Sequence, residues 1–189
     1  MRTLSNILGV ALCGLLLAGC AQTKIADFSG RDPAFVLEQY FEGHTKAYGM
    51  FEGRFSRGIP RQFVVDILGQ WQGEVFVLHE KFSFDDGERS ERTWRISKTG
   101  PGTYQGQADD VVGIASGISA GNAFNWRYVL DLKVAEDWSV HVSFDDWMLL
   151  NADGVLLNKA VMSKFGVDLG TVTIAFLKLP GSAHRISEL

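Results

Sequence analysis

Alternate residues of 138–150, WSVHVSFDDWMLL, separate by hydrophobicity. Trp138, Val140, Val142, Phe144, Asp146, Met148 and Leu150 fall on one side, and Ser139, His141, Ser143, Asp145 and Trp147 on the other. A period of two is that of a strand with one buried face. One carboxylate, Asp146, interrupts the apolar stripe. An isolated charge in such a place is costly unless it is paired, hydrogen-bonded or reached by water. Asp146 is therefore expected either to have a partner or to look into a cavity.

The same alternation recurs along most of the chain, over 49–58, 62–71, 74–84, 90–97, 103–108, 124–134, 156–165 and 171–179. Turn signals separate these runs: Gly73, Asp85-Asp86-Gly87, Thr99-Gly100-Pro101-Gly102, Ala135-Glu136-Asp137, Asn151-Ala152-Asp153-Gly154 and the stretch 166–170. About nine strands at hairpin spacing predict an antiparallel meander, and closure into a barrel removes its edges. The expected fold is mainly β, an antiparallel barrel of about 8–10 strands with one short N-terminal helix.

That helix is read from Asp32-Pro33, an N-cap followed by proline, and from Val36, Leu37, Tyr40, Phe41 and His44 at helical spacing, with Gly43 or Gly49 limiting its far end. Its outer face, Glu38, Gln39 and Glu42, is acidic, so it is expected to plug the body rather than lie on a membrane.

Register is predictable at one hairpin. With Gly87 in the left-handed position of a three-residue loop, Phe84 closes against Glu88. Phe82 then faces Ser90, Glu80 faces Arg92, Leu78 faces Trp94 and Phe76 faces Ile96. Segment 109–123, DDVVGIASGISAGNA, has small residues where the other runs have large ones. It lacks the spacing of a phosphate loop, and is expected to form a kinked barrel strand with a loop over one mouth.

The first twenty residues, MRTLSNILGVALCGLLLAGC, place a basic start before an apolar run too short to span a membrane as a mature helix. Leu17-Ala18-Gly19-Cys20 resembles the bacterial lipobox, which implies cleavage before Cys20 and acylation, for example with palmitate, at that cysteine. Ala21, being other than aspartate, fits outer-membrane sorting, and the expected location is the bacterial cell envelope, facing the periplasm. The expected organisation is a signal peptide over 1–19, a lipidated tether over 20–31, one barrel domain over 32–180 and a flexible tail over 181–189. Cleavage would remove 19 of 189 residues and leave 170, enough for one core. Cys13 would leave with the leader and Cys20 would be acylated, so stability must come from packing rather than a disulfide. Removing Arg2 from 18 basic residues leaves 17 against 22 acidic ones, a net charge of about −5. Such a surface gives no electrostatic reason to expect nucleic acid as a partner. The expected partners are the membrane, through the lipid on Cys20, and a lipid or fatty-acid ligand.

Chemical signatures are sparse. His44, His79, His141 and His184 form no ligand pair, and neither a metal nor a cofactor is called for. No nucleophile elbow is present, and Ala115-Ser116-Gly117 lacks its strand-to-helix setting. Of the adjacent carboxylates, Asp85-Asp86 is a turn, Asp109-Asp110 opens the glycine-rich segment, and only Asp145-Asp146 sets one carboxylate on a buried stripe. Glu80, Arg92 and Asp146 are the inward-facing candidates, joined by Asn158 and Lys164 from a strand whose faces are alike. Polar groups converging in an apolar lumen fit a small-molecule site, and equally fit ion pairs that close a barrel end.

The runs FDDWMLLNADGVLLNKAVMSKFGVDLGTVTI, FDDGERSERTWRI and ADDVVGIASGISAGNA together resemble the DUF3833 family of proteobacterial lipoproteins, over about residues 37–179. The resemblance implies a lipocalin-like barrel and assigns no catalytic residues. Gly49-Met50-Phe51 carries phenylalanine where the lipocalin motif Gly-x-Trp has tryptophan. Three functions remain open: binding a hydrophobic molecule, with Arg92 or Lys164 meeting its carboxylate; an enzyme using Asp146 as acid or base on a lipid-like substrate; and a structural or assembly role through a strand edge or the Trp147 surface.

Overall fold

The computed structural model describes residues 23–56 and 58–179. The expected leader, Cys13, Cys20, Ala21, His184 and the tail 181–189 lie outside them. A 3-10 turn at Ile25–Phe28 precedes helix α1, Leu37–Phe41. The strands are β1 Gly43–Gly53, β2 Arg61–Gln72, β3 Val75–Phe84, β4 Arg89–Gly100 and β5 Thr103–Gln107. They continue as β6 Val111–Ala120, β7 Ala123–Ala135, β8 Trp138–Leu150, β9 Leu156–Lys164 and β10 Val167–Lys178. Each pairs antiparallel with its sequence neighbours, and β1 pairs with both β2 and β10, so the ten strands close into a barrel.

The β3–β4 hairpin forms as the turn chemistry predicts. Gly87 has φ 92°, and Phe84 N–H donates to the Glu88 carbonyl at 3.0 Å. Glu80 lies opposite Arg92, Phe82 opposite Ser90 and Leu78 opposite Trp94. On β8, Val142, Asp146 and Leu150 are buried while Ser139, His141 and Ser143 are exposed, as the alternation requires. Trp138 departs from it, standing exposed at the strand's outer end.

The glycine-rich segment forms a strand, β6, additional to the nine alternating runs, with its register broken between Val112 and Ser116. Its small residues have a packing reason. A Cβ on Gly117 would meet the rings of Trp126 and Phe124 at 2.4 and 2.5 Å, so the aromatic side chains of β7 occupy that space.

The helix is shorter than expected. It begins after Val36, not at Asp32, and spans five residues. His44 and Tyr48 belong to β1, where residues 43–53 gain backbone ladders on both sides, and so brief a helix has little stability of its own to oppose that. It is nonetheless a plug. Leu37 and Phe41 join Phe35, Phe76, Tyr104, Phe124, Leu156 and Phe176 in the main core at one end of the barrel. Part of the stretch read as a tether also packs on the barrel, with the Phe28 ring 5.9 Å from that of Trp147.

The plug depends on close approach to β2, where a Cβ on Gly69 would lie 2.0 Å from the Phe41 carbonyl oxygen. Backbone cannot yield as a flexible side chain does. Gly69→Ala is therefore expected to lower stability by about 2–3 kcal/mol, read from chemical denaturation. An unchanged midpoint would show that α1 is not seated on β2.

Candidate functional site

The plugged end is filled by side chains; the other is not. A cavity of about 360 Å³ occupies the barrel from its middle toward the opposite end, walled chiefly by apolar residues such as Phe63, Phe82, Phe144, Leu132 and Met162. The loop residues 54–56, 58–60, 85–88, 108–110, 136–137 and 165–166 surround that open end. Large apolar side chains here are turned to solvent: in the loops Ile59 is 90% and Phe165 95% exposed, with Phe55 and, at the start of β8, Trp138 also largely exposed.

Strand alternation carries a few polar groups through the wall. Asp146 is buried at 8% exposure, opposite Trp126 on β7 and the small Ala160 on β9. Asn158, 3% exposed, lies two residues from Ala160 and thus on the same inner face. Glu80 on β3, Arg92 on β4 and Tyr128 on β7 complete the set. The inner surfaces of Glu80 and Tyr128 line the cavity, so they are only half-buried although protein surrounds them.

The cation here is already engaged. Arg92 Nε donates to Asp110 Oδ1 and Oδ2 at 3.1 and 2.9 Å, and Nη2 donates to Oδ2 at 2.7 Å. The guanidinium also stands 5.8 Å from the ring centres of Phe82 and Trp94. Glu80 and Arg92 are cross-strand neighbours as predicted, but the hydrogen-bonded partner is Asp110, in the corner between β5 and β6. Arg92, expected as a partner for a ligand carboxylate, lines the cavity with its guanidinium held by Asp110. Lys164 is corrected: at the end of β9 its Nζ donates to the His141 carbonyl at 3.2 Å, and it does not line the cavity. Arg61, at the mouth, is held by Asp86 at 2.7 Å and Glu88 at 2.6 Å.

Asp146 lacks such support. Its Oδ1 is buried without a hydrogen-bond partner, as is Asn158 Nδ2. Burial pushes the Asp146 carboxyl up to about 8; Arg92 opposes that rise, and Asp145 and Glu80 add to it. Burial likewise pushes Glu80 up to about 7, against the pull of Arg92. Tyr128 is held well above its ordinary value by burial and then by Asp146. Burial would lower Arg92, but the groups around it, Tyr128 and Glu80 foremost, outweigh that and raise it. The chamber thus offers two carboxyls that exchange protons near neutrality, a phenol and an amide, inside apolar walls.

Of the candidates named from the sequence, Glu80, Arg92, Asp146 and Asn158 line one cavity. Sequence reasoning missed Asp110 and Tyr128. Tyr128 shares an alternation with Phe124, Trp126 and Leu130 that would have placed it inside. Asp110 sits at a corner, where alternation gives no direction. His79 bonds Thr93 at 3.1 Å and His141 lies 3.4 Å from Asp131, both on the outer face. The ten strands close into a barrel, and the Phe28 ring packs 5.9 Å from that of the half-buried Trp147.

A model of the family described as "Protein of unknown function (DUF3833)" matches residues 14–178. Among solved structures, an S-type phycobiliprotein lyase, CPES, from Guillardia theta is similar in fold, with a TM-score of 0.53 at 5% identity, over 74% of this chain and 87% of that one. At so low an identity the likeness is one of architecture, a lipocalin-like barrel. No curated protein matches the chain.

Proposed function

The chain belongs to the family described as a protein of unknown function (DUF3833), and we propose that its barrel binds and carries a small hydrophobic molecule in the central cavity. The observation that carries this reading is the unfilled half of the lumen. Its volume of about 360 Å³ suits a small ligand, and apolar walls with a few convergent polar groups are the usual make-up of such sites. Likeness to a phycobiliprotein lyase supports a ligand-handling barrel at the level of fold. The exposed apolar residues around the mouth favour passage of a molecule that avoids water.

The working place of the protein is proposed to be the outer membrane, facing the periplasm, with Cys20 acylated after cleavage. Leu17-Ala18-Gly19-Cys20 followed by Ala21 supports this. A second reading, acid–base chemistry on the bound molecule, is favoured by Asp146 and Glu80 titrating near neutrality in one chamber.

One experiment separates these readings. The full chain, expressed in a bacterial host and recovered from the membrane fraction, is expected to show an acyl mass on Cys20 under denaturing mass spectrometry. Under native conditions it is expected to carry a lipid-like adduct that organic extraction releases unchanged. A chain lacking the acyl mass would overturn the anchoring, and a chain that took up no host lipid would overturn the binding. Conversion of the adduct during incubation would favour the enzymatic reading.

A further inference from the structure

Two acidic side chains of the lining, Glu80 and Asp146, share the cavity with one guanidinium, Arg92, which Asp110 holds from the β5–β6 corner. Three hydrogen bonds commit that guanidinium to Asp110. The other cation of the lining, Arg61, is at the mouth and bound to Asp86 and Glu88. Among the described residues, then, no hydrogen-bonded cation answers Asp146 or Glu80. Asp146 Oδ1 and Asn158 Nδ2, both on side chains more than nine-tenths buried, are without partners at the same place. Position along the strands sets the direction of the chamber. Asp146 and Asn158 lie toward the plugged end of β8 and β9, whereas Leu132 and Met162 lie toward the mouth.

We propose that this inner end is a head-group site for a cationic amphiphile, its ammonium nitrogen seated against Asp146 and Glu80 and its hydrocarbon chain running toward the mouth. The inference rests on the reading of the cavity as a hydrophobic-ligand site and adds the sign of the head. A fatty-acid carboxylate would bring a further anion to a place already short of cations, at the cost of a buried like-charge contact. An alcohol would offer a donor without the charge. An ammonium group offers donors to both carboxyls and supplies the missing charge, and the Trp94 and Tyr128 rings beside it add faces that attract cations.

The proton inventory follows from what surrounds Asp146. It is faced by Glu80 on β3, Arg92 on β4 and Tyr128 on β7, while Asp145 stands beside it on β8, paired with Arg127; Asp110, at the β5–β6 corner, acts on Glu80, Arg92 and Tyr128. A carboxyl protonated in the free protein must ionise to pair with an ammonium, so binding near pH 7 releases protons. Affinity is expected to rise as pH increases toward 8, by at most about tenfold per unit for each proton released.

Titration calorimetry of the full chain with dodecylammonium, dodecanol and dodecanoate at pH 7, the two ions below their micelle concentrations and dodecanol below its solubility, tests this. Dodecylammonium is expected to bind at least about tenfold more tightly than either other probe, with proton release visible as a dependence on buffer ionisation heat. Asp146→Asn and Glu80→Gln are each expected to erase most of that preference. Equal affinity for the three probes, or a preference that survives both substitutions, would overturn the cationic head and leave the cavity reading intact. Failure of all three to bind would remove the cavity reading and this inference with it.

Discussion

Asp146→Asn is expected to stabilise the ligand-free protein by about 3 kcal/mol at pH 8, or ~6–12 °C in Tm. The direction follows from the two states of the carboxyl. Unfolded, it ionises at its ordinary value of 3.8; folded, only at about 8. A carboxyl whose pKa is raised by folding costs nothing below pH 3.8. Its cost then grows through the window from 4 to 8 and is complete above it. At about 1.4 kcal/mol per unit the full penalty is on the order of 5 kcal/mol, of which an amide of the same shape recovers part, since it must still satisfy its own donors. Thermal unfolding at pH 8 and pH 4.5 checks this, and the gain should shrink at the lower value. A variant less stable than the parent at pH 8 would mean that Asp146 has a partner in the folded state. Loss of head-group preference together with a gain in stability is the signature of a residue retained for binding at the expense of folding.

Arg92→Met is expected to act in the opposite sense, costing about 3–5 kcal/mol at pH 8. The substitution keeps an unbranched apolar stem against Phe82 and Trp94 but deletes three hydrogen bonds to Asp110. It also removes the one charge that lowers both Glu80 and Asp146. Without it both carboxyls titrate still higher, so the loss is greatest above pH 8 and diminishes as acid neutralises them. Urea denaturation at pH 8 and 5.5 separates charge from packing, for a packing defect would cost the same at both. Adding Asp146→Asn to Arg92→Met should recover more stability than it gives the parent, because the two groups share one electrostatic network.

Much of this site was legible in the chain. Turn chemistry at Gly87 set the register that brings Glu80 opposite Arg92, since a three-residue loop leaves one pairing that keeps apolar beside apolar. Alternation set Asp146 inside, since a strand can turn only one set of residues to the core. Less of the N-terminal region could be read. Residues 36–44 carry a helical stripe, but those from Gly43 onward are claimed by β1, whose ladders to β2 and β10 exist only once the barrel closes. Corner residues escape periodicity altogether, so Asp110 gave no sign that it would take the guanidinium.

Local rules thus determined the elements, their faces and the hairpin that frames the site, because propensity, turn type and alternation act within a few residues of each other. Three matters waited on the tertiary structure. Whether the lumen is filled depends on how Phe35, Leu37, Phe41 and their neighbours crowd one end and leave the other open. Arg92's choice between Glu80 and Asp110 depends on where a corner falls in space. Finally, the unpaired state of Asp146 depends on every strand around the barrel, for a buried charge is satisfied or stranded by the sum of its neighbours, and no stretch of sequence contains that sum.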